Sequence, residues 1–572
     1  MKLYSKNLIK KSLITLSITI ITTLLIGYIA FYFLIQTNLD YYKQKIIDYI
    51  SNETNKEVSI KSLKAGWKLT SPRFTINQLT IFNSNNTKTF SLNKIEVDFS
   101  WRSFLEFKPI LDKINIYTPK LKIQKNSNTE YLIGGIIINF NDKQKNTRLF
   151  DWILNQDDIV IIDGEINWID KTRPSISSLI LKNVNLDYQT SILLAYLDRH
   201  SFKLSFDSSA TSLAKTILTG HFNLDSFNNI ESVDGQLSLH SNNIELNAYK
   251  PWIDYPIDIN SGTGNLTINT SFEKGKLTEI ETFFDTKNVL IKNNLKKQDV
   301  LLKNFSGQFN WHKKNDNTFF NLNQLTLDTN NNLNIRDSQV SITLNQSNKE
   351  ITAVTAKINR INLKSVQELI DFFPLENESI YKKIKNISPE GKLSNIKFVW
   401  KKSIQQSPRK LTIDAQLLNV KVNAYNNYPS ARNITGQIHI KNNIGFIKSV
   451  SRNVIITKLD TFRQPLKFSQ LTGKISWNNN VINLKNIIVK DEHMKASING
   501  SYKFLENKNS LLDIEIIVPL LSIPELKSYY PLQLGSETLG WLDTSLLKGT
   551  AENTIIKIQG QSKDFPFVDE NN

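Results

Sequence analysis

Twenty-eight consecutive residues, Ser12 to Leu39, carry no charge, and no comparable run appears in the 533 residues that follow. The apolar centre, Leu13–Ile35, would make about 35 Å of helix, enough for a hydrocarbon layer of about 30 Å. Charged side chains are costly at mid-bilayer, so their absence predicts a membrane-spanning helix over residues 12–35. Leu13, Leu16, Ile20, Leu24, Tyr28, Phe31 and Leu34 are the expected anchor residues. Lys2, Lys6, Lys10 and Lys11 precede the run with no acid among them, whereas Asp40, Lys43, Lys45 and Asp48 behind it cancel. The positive-inside rule then keeps residues 1–11 in the cytoplasm and sends the body across the membrane. A cleaved signal peptide is the competing reading. Its apolar core would be shorter and end in small residues, whereas this one ends in Tyr28, Phe31, Tyr32 and Phe33, which suit the outer interface of a retained helix.

The chain has no cysteine, which removes disulfides, thiolate metal sites and thiol nucleophiles. Lys and Arg number 70 against 53 Asp and Glu, a net charge of +17. That excess reads either as attraction to anionic headgroups or another polyanion, or as the habit of a chain crowded with Lys, Asn and Ile. The charge is dispersed and forms no long basic run, which favours the second reading. Nucleic acid is not an expected partner, because a body behind a membrane anchor would rarely meet it.

After the anchor, Tyr41–Ser51 reads as a short amphipathic helix with Ile46, Ile47 and Ile50 on one side. From Val58 the period becomes two. Ile95, Val97, Phe99 and Trp101 alternate with Glu96, Asp98 and Ser100, and the pattern returns at Phe202/Leu204/Phe206, Val340/Ile342/Leu344, Leu411/Ile413/Ala415/Leu417 and Ile514/Ile516/Val518. A loose motif recurs as Gly164–Trp168, Gly307–Trp311 and Gly473–Trp477, with shorter relatives at Gly220, Gly235, Gly264, Gly391, Gly436 and Gly500. Each glycine is expected to open a strand at a tight turn or bulge. The irregular spacing argues for a long antiparallel meander over a solenoid. Helical interruptions are expected at Thr147–Leu154, Ser365–Phe373, Ser379–Ile387, Pro524–Tyr530 and Thr538–Leu547. The predicted fold is mainly β: one transmembrane helix, then an elongated, twisted antiparallel β-sheet groove with a few short helices. Its apolar face either packs against a second sheet or lines a trough, and alternation alone fits both.

Catalytic signatures are missing. His200, His221, His240, His312, His439 and His493 are scattered, and no P-loop, nucleophile elbow or zinc-protease motif occurs. Asp157, Asp158, Asp163 and Asp170 form the most acidic stretch and read as solvated strand ends, with a Ca²⁺ site as the alternative. No enzyme activity, cofactor or metal is expected.

Several segments in order resemble the YhdP branch of the AsmA-like family: Glu57–Trp67, Pro72–Ile81, Ile95–Phe104 and Ile114–Ile123, then Trp152–Asp158, Gly164–Asp170 and Leu179–Leu186. Ser388–Gly391, Tyr530-Pro531, Gly540–Asp543 and Asp564–Phe567 extend the likeness. The resemblance implies an AsmA-like N-terminal β region over 36–130 and a YhdP-like central region over 131–572. It also implies a single-pass protein of the Gram-negative inner membrane with its body in the periplasm. Family members usually run on for hundreds of residues past the Phe-Pro-Phe segment, so the expectation is a shortened version lacking the C-terminal half.

The implied activity is movement of phospholipid between membranes along an apolar groove. An acyl chain in water costs about 0.8 kcal/mol per exposed methylene, and a continuous apolar trough removes that barrier. Ile95, Val97, Phe99, Trp101, Phe202, Leu204, Phe206, Leu411 and Ile413 are the candidate lining, with ordinary packed core as their alternative. Trp168, Trp311 and Trp477 are expected to pack. Expected partners are phospholipid and the inner membrane. The alternative is an assembly scaffold with a filled β core that binds envelope proteins; an anchored hydrolase ranks last.

Overall fold

The computed structural model describes all residues except 1, 55, 69–70, 83–87, 101–110, 140–146, 155, 192–199, 211–214, 225, 227–230, 254, 256–257, 293–298, 331–332, 346–349, 366–384, 403–409, 426–427, 506–509 and 566–572. Helix α1 (Lys2–Gln36) holds the charge-free run as far as Gln36, and its segment Lys10–Ala30 is long and apolar enough to cross a membrane. Its threonines do not oppose that. The hydroxyls of Thr15, Thr19 and Thr23 each donate to the carbonyl four residues back at 2.8–2.9 Å, so these groups are satisfied within the helix. Leu13, Leu16, Ile20 and Tyr28 are exposed along it; Leu24, Phe31 and Leu34 belong to the helix, but their side chains lie outside the described set.

Two helices follow the expected positions closely: α2 (Leu39–Thr54) and α3 (Thr147–Leu154). A 3₁₀ turn at Ile523–Ser528 and α4 (Ser536–Ser545) occupy the two expected C-terminal sites. The helices expected over 365–373 and 379–387 fall mostly outside the described residues.

Most of the remaining described residues are β, 27 strands belonging to one sheet, and the chain divides into two compact units. The first unit, Met1–Pro256 with Thr263–Thr282, opens with β1 (Val58–Lys68), β2 (Ser71–Phe82), β3 (Lys88–Phe99), β4 (Leu111–Tyr117) and β5 (Lys120–Lys125). It continues with β6 (Glu130–Ile133), β7 (Ile136–Asn139), β8 (Asp158–Asp170), β9 (Leu179–Thr190), β10 (His200–Ser208), β11 (Lys215–Asn223), β12 (Asp234–Glu245) and β13 (Ile259–Glu273). Strands β13 and β14 (Lys276–Ile291) each contribute residues to both units. The second unit holds β15 (Val300–Lys314), β16 (Asn317–Thr329), β17 (Asn334–Asn345), β18 (Glu350–Asn362), β19 (Glu390–Lys401), β20 (Lys410–Val422) and β21 (Ser430–Lys441). It ends with β22 (Ile444–Thr457), β23 (Leu466–Trp477), β24 (Val481–Lys490), β25 (Lys495–Phe504), β26 (Ser510–Ser522) and β27 (Thr550–Gln561).

Among the described strand registers the antiparallel meander holds except at β8. Strand β8 runs parallel to both β4 and β5, with Ile114 opposite Ile159 and Leu121 opposite Ile166. Between β5 and β8 the chain makes the β6–β7 hairpin and α3, the longer connection that a parallel pairing requires.

Gly235 and Gly391 stand at the second residue of β12 and β19, as expected of strand openers, but the glycines of the Gly–Trp motif do not open theirs. Gly164, Gly307 and Gly473 lie inside β8, β15 and β23, each where the register shifts by a residue. These shifts recur along the sheet beside residues at positive φ, among them Asp163, Asn183, Asn243, Gln324, Asn419 and Asn486. Asn and Asp tolerate that conformation, and a bulge there lets an apolar row change phase without changing face. In β16, Phe320 and Leu322 give way to Leu325 and Leu327 around Gln324; in β24, Ile482 and Leu484 give way to Ile487 and Val489 around Asn486.

A neighbouring strand often satisfies the freed backbone N–H. That of Asn486 donates to Asn499 Oδ1 at 2.7 Å, that of Asn419 to Thr435 Oγ1 at 3.1 Å and that of Asn243 to Asn265 Oδ1 at 3.0 Å. Part of the chain's asparagine excess is therefore bulge chemistry.

Candidate binding surface

Directly opposed residues share a face, so the register assigns every side chain to one of two surfaces. In the second unit one surface is apolar strand after strand. Trp311 faces Phe320, Phe320 faces Ile342, Ile342 faces Val354, Val354 faces Trp400 and Trp400 faces Leu411. Alongside, Phe398 faces Ile413 and Ile413 faces Ile440. The row continues from Ile438 through Ile447, Ile475, Leu484, Gly500 and Ile514 to Ile558 in β27. No charged residue interrupts it. The opposite surface of the same strands carries Asn310, Ser341, Thr355, Lys397, Thr412 and Gln437.

Burial divides this apolar surface at the bulges. On one side, Val454, Phe468, Leu471, Ile487, Val489, Ala496, Val518 and Leu521 form a closed cluster. Leu526 and Tyr529 pack against it from the segment after β26. That segment is tied down by Arg463 on Asp543 at 2.7 Å, by Lys527 Nζ on the Asp543 carbonyl at 2.9 Å and by the Tyr529 hydroxyl donating to Asp491. On the other side, Phe398, Trp400, Leu411, Ile413, Ile440 and Trp477 are only half-buried. Phe305 packs against a third cluster, of Leu325, Leu333, Ile335, Ile361, Ile396 and Ala415, but the seven residues of β15 from Ser306 to His312 are half-buried on both surfaces. A second packed layer would bury every other one, so this part of the sheet lacks one among the described residues.

The first unit repeats the apolar face but covers it. Phe74, Ile76, Ile95, Ile114, Ile159 and Tyr188 belong to one core, and Ile46, Ile47 and Ile50 of α2 pack on it together with Ile153 of α3. The candidate residues separate accordingly. Ile95 is buried in this core, and Val97, Phe99 and Phe202 pack against it. Leu204 and Phe206 are half-buried further along the same face. Trp101 lies outside the described residues. Leu411 and Ile413 belong to the open stretch of the second unit, and so do Trp311 and Trp477. Trp168 is half-buried beside Tyr131, with ring centroids 6.1 Å apart.

Several charged and polar groups in the first unit are paired. Arg73 donates to both carboxylate oxygens of Asp98 and, at 2.8 Å, to Glu96, which also accepts from the Tyr117 hydroxyl at 3.0 Å. Burial pushes the Glu96 carboxyl up, but hydrogen bonds from Lys94 and Tyr117 and the Arg73 charge outweigh it and hold it below its ordinary value. His200, 1 % exposed, is bonded to the Tyr188 hydroxyl and to the Leu224 carbonyl, both at 2.8 Å. The acidic residues of β8 do not converge: Asp158 pairs with Lys113 at 2.7 Å, while Asp170 accepts from Thr172 and lies 3.6 Å from Arg173. Among the described residues no three His, Asp or Glu form a group that could hold a metal ion.

Period-two reading missed Leu325, Val420, Ile487 and Val489, which fall out of phase with the residues before them. The Asn or Gln at each phase change was the available signal.

An apolar N-terminal helix and a sheet with one apolar and one polar face define the class of protein. The chain belongs to the YhdP family, whose model, described as "YhdP protein", matches residues 1–572. That makes it an AsmA-like envelope protein. No curated protein and no solved structure matches it.

Proposed function

We propose that the protein carries phospholipid along the apolar face of its sheet, held to the inner membrane by α1 with residues 1–11 in the cytoplasm and the body in the periplasm. The observation behind this reading is the uncharged row from Trp311 to Ile558, half-buried where no second layer covers it. Acyl chains lie on that row through many weak, similar contacts while headgroups stay in water, so no reacting group, metal or cofactor is required. The closed clusters of both units suit the alternative, a scaffold that binds envelope proteins through its surface; the open half of the second unit favours lipid.

The test places a photo-crosslinking amino acid at Phe398, Ile413 or Ile440 of the full chain in cells, with Lys397 and Ser476 as controls on the other face. Lipid adducts at the first three positions alone support transfer. Protein adducts without lipid at those positions would make the scaffold the better account.

A further inference from the structure

Strands β21 to β25 contain no aspartate or glutamate, and each carries two cations, ten in all. In sequence they are dispersed; the register collects them. All ten alternate with the apolar row and so point to the opposite surface. Lys448 lies directly opposite Lys474, and Lys474 directly opposite Lys485. Lys490 likewise lies opposite Lys495. Adjacent strands are about 4.8 Å apart, and like charges directly opposed across a ladder destabilise it. Elsewhere in the protein cations meet acids, as Arg73 meets Asp98, Lys113 meets Asp158 and Lys421 meets Glu390. Here Lys448, Lys474, Lys485, Lys490, Lys495 and Arg452 are exposed, and among the described residues none is within ion-pair distance of a carboxylate. Lys474 does lie over the Phe446 ring at 4.4 Å, which steadies its side chain and leaves its charge in place.

We propose that this basic face docks on a surface of anionic phospholipid headgroups. Charge complementarity calls for an anion, and the residue types choose among anions. Eight of the ten cations are lysine and two are arginine, Arg432 and Arg452. Lysine is depleted at protein interfaces, where arginine and large aromatics are enriched. Single-stranded nucleic acid needs aromatic platforms between its cations, and this surface of the five strands carries a single Phe, Phe446, half-buried beside the His439 ring, and no Tyr or Trp. A hydrated, diffuse headgroup layer asks only for clustered positive charge. The sheet then has two uses: one face for single lipids, the other for a leaflet.

The full chain, held by α1 in a phosphatidylcholine nanodisc, is mixed with separate vesicles of phosphatidylcholine with or without phosphatidylglycerol, and co-sedimentation is read. Binding is expected to be about tenfold stronger with phosphatidylglycerol and to fade in high salt. The triple variant Lys448→Gln/Lys474→Gln/Lys485→Gln should lose about tenfold, and the matching triple Lys→Arg variant should keep it. The Gln variant should also melt no lower than the parent, since it relieves repulsion, and this separates lost binding from lost folding. Equal binding to both vesicles, or undiminished binding by the Gln variant, overturns the proposal. Capture of polyglutamate but not of vesicles also overturns it and assigns the face to an acidic polypeptide. None of these outcomes depends on whether the apolar face carries lipid.

Discussion

Gly473 in β23 packs its bare α-carbon against the backbone of Asn486 in β24: a Cβ there would sit 2.5 Å from the Asn486 carbonyl oxygen. Gly473 has φ +133° and Asn486 φ 50°, so the bulge is built from two residues that each tolerate what others resist. Gly473→Ala is expected to cost about 2 kcal/mol through strain and displaced backbone. Gly66→Ala, where nothing lies within 4 Å, is the control and should be near neutral. Denaturant midpoints at unchanged slope check both.

How much of this was legible beforehand follows from the same bulges. Alternation identified the strands, because period two survives between one bulge and the next, as in Leu411 to Leu417. Glycine was read as a strand opener because a turn and a bulge make the same demand on φ, and only pairing across strands separates them. The side of the sheet left open was not legible. Ile95 and Ile413 sit in identical alternating patterns, yet α2 and α3 pack on the core that holds Ile95 while Ile413 stays half-buried. The basic face was hidden for a related reason: Lys448, Lys474 and Lys485 are far apart in sequence and adjacent only through the register.

That difference makes Val97 and Ile413 a diagnostic pair. Val97→Asp puts a carboxylate against the closed core of the first unit and should cost about 3 kcal/mol or more. Ile413→Asp places it on the open half of the second unit, where water reaches it, and should cost about 1 kcal/mol. Lipid crosslinking at Phe398, directly opposite Ile413, should nevertheless fall sharply in Ile413→Asp. Melting curves and adduct yield measured on the same preparations test the pair; a large stability loss at Ile413 would mean that its side of the sheet is packed.

Acid should loosen the segment that closes the second unit. Burial pushes the Asp491 carboxyl up, but bonds from the Tyr529 hydroxyl and from the His493 and Met494 N–H groups outweigh it, leaving it below its ordinary 3.8. A carboxyl depressed on folding stabilises above its unfolded pKa and loses that contribution as pH falls through the folded value. Protease sensitivity near Leu526 should therefore rise below about pH 4. Tyr529→Phe removes one donor, so the acid transition should move to higher pH with a loss of about 1 kcal/mol at neutrality. An unchanged transition in Tyr529→Phe would mean that the Asp491 bond does not hold the segment.

The anchor is the simplest part of the chain to remove. The Tyr28 ring of α1 lies against Trp67 of β1, tilted by 41° with centroids 4.7 Å apart, and α2 packs on the sheet through Ile46, Ile47 and Ile50. Deleting residues 12–35 takes away the first contact and leaves the second, so the body is expected to fold and to leave the integral membrane fraction. Alkaline carbonate extraction makes the distinction, because it strips proteins held by charge and retains those held by a buried helix. Release into the carbonate supernatant supports a single anchor. Retention would require a second hydrophobic attachment, with the exposed Trp541 and Leu547 in and beside α4 as the first residues to test.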